Sequence, residues 1–292
     1  MQKYKVAIVG AGVVGTALAS LLKEKGYTLV GLASRSEVSL QKAASVVGAE
    51  IRTTTAPQQI TPEADLVFLT TSDSVIQKVC EDIAGTGGFH PGQIVVHTSG
   101  SLPSTILIAA KEKGALIASV HPLQSFADVK EAIKIISSSI FNIEGDQEAI
   151  PPLMELVKTV GGKPLPIETR QKPLYHASAV VACNFLVTLV YLSYQLFEAI
   201  GIPQADAAQA LLPLIKGTVN NIEHLGPVKA LTGPIARGDV DVIRGHLEAL
   251  KTVDPRFTDI YRAISRLTVE VGIKKGSLEP NRAEEILEIV GI

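Results

Sequence analysis

Residues 10–15 read GAGVVG, directly after the apolar run VAIV and directly before TALASLLKEKG. No other stretch restricts the fold so strongly. A G-x-G-x-x-G run that leaves a strand and opens a helix supplies three things at once. Gly10 permits a tight turn, Gly12 leaves backbone that a pyrophosphate can approach, and Gly15 lets helix and strand pack closely. The helix N-terminus behind the run favours negative charge. The spacing predicts a strand–turn–helix unit with dinucleotide phosphates lying against Gly10, Ala11, Gly12, Val13, Val14 and Gly15. The basic start and apolar run also imitate a secretory leader, but the glycine spacing favours the strand and turn.

The rest of the first half repeats the theme. Apolar β-branched runs at 6–10, 29–33, 66–71, 94–98, 115–120, 140–145 and 163–167 alternate with helical patterns. Such runs between helices indicate a parallel sheet covered on both faces, an α/β doubly wound arrangement. From about residue 168 strands stop. Helices are expected over 173–200, 204–224 with a kink at Pro213, 239–252, 255–273 and 280–290. The expected organisation is a dinucleotide-binding Rossmann domain over 1–167 and an all-α substrate and dimerisation domain over 168–292.

The end of the second strand bears on the choice of cofactor. NAD binders usually place a carboxylate there for the ribose hydroxyls. This chain has LASRS, so Ser34, Arg35 and Ser36 replace it with hydroxyls and a guanidinium fork suited to a 2′-phosphate. NADP is expected rather than NAD.

Ligands of doubly wound sheets sit beyond the carboxyl ends of the strands. That edge gathers GAGVVG, TTSDS (70–74), HTSGS (97–101) and HPLQSF (121–126). Thr70, Thr71, Ser72 and Thr98 are expected to line the cofactor, with Ser99 and the Gly100 amide near the reacting group. Of the six histidines, His97 reads as structural, whereas His121 leaves a strand at the ligand edge. No HExxH, CxxC, P-loop lysine or GxSxG elbow occurs, so metal, phosphoryl-transfer and serine-hydrolase chemistries are not expected.

Between Lys172 and Glu198 lie 25 uncharged residues, among them YHASAVVACNF (175–185). A membrane span is long enough to fit, but His176, Ser178, Asn184, Thr188, Ser193 and Gln195 suit a buried soluble helix better. The helix is expected to be buried, in the core of the helical domain or at a dimer interface. Unpaired buried polar groups are costly. His176 and Asn184 are therefore expected to find partners in a cleft, an imidazole to pass a proton and a carboxamide to hold an oxygen.

Taken together, GAGVVG, HTSGS, HPLQSF, YHASAVVACNF and LTGPIARGD (231–239) resemble bacterial NADP-dependent oxidoreductases that pair an N-terminal Rossmann-like domain with a C-terminal helical domain of unknown function. More distantly the layout is similar to 6-phosphogluconate dehydrogenase-like enzymes, including pyrroline-5-carboxylate reductase and β-hydroxyacid dehydrogenases. The resemblance implies a dimer formed through the helical domain, and a site shared between the cofactor edge and the first long helix. The Lys-x-x-x-Asn pair of β-hydroxyacid dehydrogenases is absent, because Val180 precedes Asn184 by four residues. Arg237 is expected either to grip an acidic group or to pair with Asp239 or Asp241.

The leading expectation is hydride transfer between NADP(H) and a small C=O or C=N substrate, in either direction. His121 or His176 would handle the proton, and Asn184, Ser99 and the Gly100 amide would bind the oxygen or a carboxylate. The alternative is a non-catalytic NADP-binding sensor or scaffold; a less favoured enzyme reading is an opine- or imine-type reductase. With 27 basic against 29 acidic residues, neither nucleic acid nor a membrane surface is an expected partner. Two distant cysteines, Cys80 and Cys183, fit a reducing cytoplasm. A homodimer through the C-terminal helices is expected.

Overall fold

The structure, a computed structural model, describes residues 4–291. Its first compact unit, up to Cys183, is built on an eight-stranded sheet of order β3-β2-β1-β4-β5-β6-β7-β8. The strands are β1 (Lys5–Val9), β2 (Thr28–Ala33), β3 (Thr53–Thr54), β4 (Leu66–Leu69), β5 (Ile94–His97), β6 (Leu116–Pro122), β7 (Ile140–Gly145) and β8 (Lys163–Pro166). Helices α1 (Val13–Glu24), α2 (Glu37–Val47), α3 (Asp73–Gly85), α4 (Ile108–Lys111), α5 (Val129–Ile136), α6 (Ile150–Thr159) and α7 (Lys172–Val180) accompany them. All neighbouring strands run parallel except β6 and β7, which pair antiparallel with Ser119 opposite Glu144 and His121 opposite Asn142. The wholly parallel expectation fails there because the chain, after α5, re-enters the sheet at the edge where β6 ends, with the Leu123 N–H donating to Ile140 O at 2.8 Å. The two-residue strand β3 is too short to show a period, whereas sequence reasoning missed α5 although it is capped by Asp128 and buries Ala132 and Ile136 four residues apart.

Alternation along the strands divides the core. Val6, Ile8, Phe68, Val96, Ala118 and Val120 pack with α1, α5 and α6 on one face. Ala7, Val9, Val67, Leu69, Val95 and Ile117 pack with α3 and α4 on the other. Two covered faces explain why the central strands read as continuous apolar runs. On the second face the apolar layer gives way, beyond Val95, to His97, Ser119, Asn142 and Glu144, all with no exposed surface. The polar side chains of this edge are therefore built into the sheet.

The second unit, Asn184–Ile292, is helical. It contains α8 (Leu186–Ala199), α9 (Gln204–Ala230), α10 (Pro234–Arg237), α11 (Val240–Val253), α12 (Pro255–Lys275) and α13 (Pro280–Val290). Its core is made by Ile235, Val240, Ile243, Leu247, Val269, Ala283, Ile286 and Val290 of α10–α13. The helix continues through Pro213 and is broken at Gly226 (φ 75°, ψ 161°). Glycine adopts positive φ at no steric cost, so the chain bends there.

The two compact units divide between Cys183 and Asn184. Residues 169–175 hydrogen-bond to β6 and β7 and so belong with the sheet. The apolar helix is also not buried within one chain. A π-helical turn, Val181–Phe185, joins α7 to α8, and α8 has no buried residue. Val187 is 67% exposed, Tyr191 62% and Leu214 of α9 66%. The segment Thr169–Ala199 is also long and apolar enough to cross a membrane by length and composition.

Candidate active site

Strand order reverses between β1 and β4, and ligand crevices of open α/β sheets form at that point. Gly10 turns the chain at the end of β1 with φ 121° and donates its N–H to Ala33 O at 2.7 Å. Thr70, at the end of β4, donates its hydroxyl to Gly10 O at 2.7 Å. A β-carbon on Gly15 would lie 2.0 Å from Gly10 O, so helix α1 can approach β1 only through a glycine. A β-carbon on Gly12 would meet no protein atom within 4 Å. The three glycines thus divide into two that the protein's own packing requires and one that faces open space.

A cavity of about 410 Å³ opens over this turn. Of the expected cofactor residues, Gly10, Ala11, Gly12, Ser34, Arg35, Thr70, Thr71 and Ser72 line it. Val13, Val14 and Gly15 form the start of α1 behind the cavity. Ser36 caps α2 by accepting the Ser39 N–H at 3.2 Å, and Thr98 is half-buried in the loop after β5; neither lines the cavity. Thr71 Oγ1 is buried without a hydrogen-bond partner at the cavity wall. A bare glycine turn, a helix N-terminus, an unpartnered hydroxyl and Arg35 beside Ser34 suit the phosphates of a dinucleotide.

Asp73 links this crevice to the next loop. Its carboxylate accepts the hydroxyls of Ser99 at 2.7 Å and Ser101 at 2.9 Å. Ser99 Oγ also accepts the amides of Ser101 and Leu102. The only proton of Ser99 is therefore committed to Asp73, and Ser99 clamps the loop. His97, fully buried, accepts the Ser99 amide at Nδ1 (3.1 Å), which leaves Nε2–H for Pro103 O at 3.2 Å. Burial first, and then the nearby Lys172 cation, push its pKa down to about 4. His97 is thus a neutral pin for HTSGS.

At the end of β6 three rings converge. His121 Nδ1 lies 3.0 Å from the Tyr175 hydroxyl. The two rings meet edge to face at 5.8 Å and 84°. His176 approaches the other side of His121 at 6.3 Å and 77°. Gly100 makes this closure possible: its β-carbon would stand 2.7 Å from His121 Nε2 and 2.8 Å from His176 Nδ1. His176 Nδ1 is buried with no partner in the protein. Burial above all, with Lys172 and His176 next, lowers the His121 pKa to about 4, and burial raises Tyr175 to about 12. Both groups therefore stay uncharged near neutral pH.

His121, His176 and Gly100 are thus brought together as the loop argument expected. Asn184 is exposed, lies in the π turn and opens the second unit. Gln124 is exposed and accepts the Ser125 amide. Arg237 takes its local option, bonding Asp239 through Nε at 2.8 Å. Sequence reasoning missed Tyr175, although it adjoins His176. It also missed Lys172 and Glu144, a buried ion pair 3.4 Å apart. The available signal was a charge at each of two positions where the pattern is otherwise apolar.

Residues 1–122 match the model of a Rossmann-like domain, and residues 139–268 that of a domain of unknown function, DUF2520. The chain joins a Rossmann-like domain to a DUF2520 domain. Among solved structures it is similar to BF3122 of Bacteroides fragilis, regarded as an NADP oxidoreductase, at 28% identity over 92% of this chain and 98% of that one, with a TM-score of 0.72. Protein TM1727 of Thermotoga maritima gives 26% identity over 92% and 99%, also with a TM-score of 0.72. A reductive aminase of Aspergillus terreus, in complex with NADPH and ethyl levulinate, shares the fold at 14% identity over 98% and 99% (TM-score 0.65). No curated protein matches the chain.

Proposed function

We propose that the protein is an NADP(H)-dependent oxidoreductase that moves a hydride between the cofactor and a small C=O or C=N substrate. The observation that carries the reading is the pairing of an Arg35-flanked glycine turn with an uncharged His121–Tyr175 donor pair on the same sheet edge. The Bacteroides protein regarded as an NADP oxidoreductase and the NADPH-bound reductive aminase support it. Gly10–Gly15 and Thr70–Ser72 would hold the pyrophosphate and adjoining ribose, and Ser34 with Arg35 the 2′-phosphate. Bound NADPH supplies the hydride.

The chain's own residues then manage one proton. In the tautomer that lets Nδ1 of His121 accept the Tyr175 O–H, Nε2 carries hydrogen beside the bare α-carbon of Gly100. A reduced substrate leaves an alkoxide or a nitrogen anion, which is a stronger base than phenolate. Nε2–H passes to it while the Tyr175 proton moves onto Nδ1, so no ionised histidine is required. His176 Nδ1 offers the substrate a further hydrogen-bonding position, and Ser99 holds the loop that carries Gly100. A non-catalytic NADP-binding module leaves this pair without a purpose.

The 1–167 segment would serve cofactor binding and the 168–292 segment substrate binding. The exposed apolar faces of α8 and α9 would pack on a second copy, giving a cytoplasmic homodimer; sedimentation analysis yielding only monomer would refute this. For the main reading, calorimetric titration with NADPH and with NADH is decisive. Tight NADPH binding, much weaker NADH binding, and turnover of keto or imino compounds that His121→Asn abolishes are expected. Failure of folded protein to bind either cofactor would refute it.

A further inference from the structure

Strand β6 and helix α7 meet as a two-rung ladder. Ser119 and His121 are two residues apart on β6 and so point to the same face. Lys172, Tyr175 and His176 occupy i, i+3 and i+4 of α7 and share one side of the helix. The outer rung is His121–Tyr175. The inner rung is Ser119–Lys172, in which the ammonium donates to the Ser119 hydroxyl and also reaches Glu144 Oε1 at 3.4 Å. Glu144, the cross-strand partner of Ser119, accepts in addition the Ser104 amide (2.7 Å), the Ser104 hydroxyl (2.8 Å) and the Thr169 hydroxyl (2.8 Å). Lys172 and Glu144 both have fully buried side chains. A buried ion pair is rarely a net gain in stability over apolar packing, so its presence calls for another reason.

We propose that Lys172 is a positioning residue for the His121–Tyr175 pair, locking the first turn of α7 onto β6 and β7 so that the phenol meets Nδ1. Two of the three ammonium N–H groups of Lys172 are held by Ser119 and Glu144 and its side chain is fully buried, so it is assigned no proton transfer of its own. It acts through His121. The charge it places one rung away discourages protonation of the imidazole, which would turn Nδ1 from acceptor into donor and reverse the outer rung. The other titratable groups around His121 are Tyr175 and His176 on α7, His97 on β5, Asp73 at the start of α3, and Glu144 on β7. Of these, Lys172 exerts the largest charge effect on His121, second only to burial.

The inference rests on the donor pair of the proposed reaction, but its test does not need turnover. The imidazole of His121 is followed by NMR through a pH titration of the full chain, its signal assigned by loss in His121→Asn. Lys172→Met keeps the chain length without the charge. Lys172→Met with Glu144→Gln avoids leaving a lone buried carboxylate. In the folded Lys172→Met protein the His121 pKa is expected to rise by on the order of one unit, as a unit charge about 7 Å away at intermediate dielectric dictates, and by less in the double variant, which loses an opposite charge as well. The ring signal should also lose its coupling to Tyr175, tested with Tyr175→Phe. A His121 titration in Lys172→Met unchanged to within about 0.3 unit would overturn the proposal, as would a folded double variant whose ring signal keeps its coupling to Tyr175. Loss of folding in both variants would overturn it too, by making Lys172 a stability residue. A shifted titration in a protein that turns over no carbonyl or imine would leave Lys172 in place and sink the reductase reading instead.

Discussion

Replacing Gly100 by alanine should damage the site through geometry alone. The φ of Gly100 is not positive, so alanine can adopt its backbone conformation. The new methyl would sit 2.7 Å from His121 Nε2, 2.8 Å from His121 Cε1 and 2.8 Å from His176 Nδ1. Ordinary contact begins at 3.4 Å, so both rings must retreat by about 0.6–0.7 Å. His121 is tethered to Tyr175 at 3.0 Å through Nδ1, and a displacement of that size distorts the hydrogen bond whether it lengthens or compresses it. Overpacking costs about 1–3 kcal/mol, while the stiffer unfolded chain returns about 0.4–1 kcal/mol. A net loss of about 1–2 kcal/mol should appear as a lower urea midpoint at unchanged slope. Turnover should fall roughly 100-fold, the usual consequence of misplacing a reacting group by a fraction of an ångström to an ångström. Cofactor affinity should be untouched, because Gly100 does not line the glycine-turn cavity. A Gly100→Ala protein with stability unchanged to within about 0.5 kcal/mol and normal turnover would refute the three-ring closure.

Gly12→Ala is the converse: with no protein atom near the added methyl, stability should hold within about 1 kcal/mol, while NADPH affinity falls in a calorimetric titration. Arg35→Ala should weaken NADPH binding about tenfold to a hundredfold and leave NADH binding nearly unchanged, read in the same titration. The His97 pKa is depressed to about 4 from an unfolded value near 6.5. The unfolded chain therefore binds the proton first as pH falls. Stability is intact above about pH 6.5, declines through the window down to about 4, and loses about 3 kcal/mol from His97 by its lower end. Denaturation midpoints measured across that window should show the decline, and His97→Asn should reduce its steepness if the mutant folds.

Fold legibility followed the strength of local constraint. The glycine run, the β-branched strands and the C-terminal helices each carry a period or a turn requirement that no tertiary contact needs to supply. The antiparallel β6–β7 pair was not readable, since IFNIEG has the same composition in either direction and only the path of α5 decides its sense. The end of the straight part of α9 was close to the expected residue 224, because Gly226 adopts a conformation no helix includes.

The site was half legible for a reason that lies in periodicity itself. Helical spacing joined His176 to Asn184 because both interrupt one apolar stretch. Yet a polar residue in such a stretch is explained by what faces it, and α7 faces β6. Strand alternation there places Ser119 and His121 on one side, and helix spacing places Lys172, Tyr175 and His176 on one side. Matching the two periods, two residues on the strand against three on the helix, pairs Ser119 with Lys172 and His121 with Tyr175. The hydrogen bonds have this pattern. Lys172 is the last charge before 25 uncharged residues, and Glu144 is the one charged residue of β7. Each alone looks like an exposed terminus. Together, on elements that must pack, they are a buried pair, and the pair lies beside the histidine that the loop argument had already singled out.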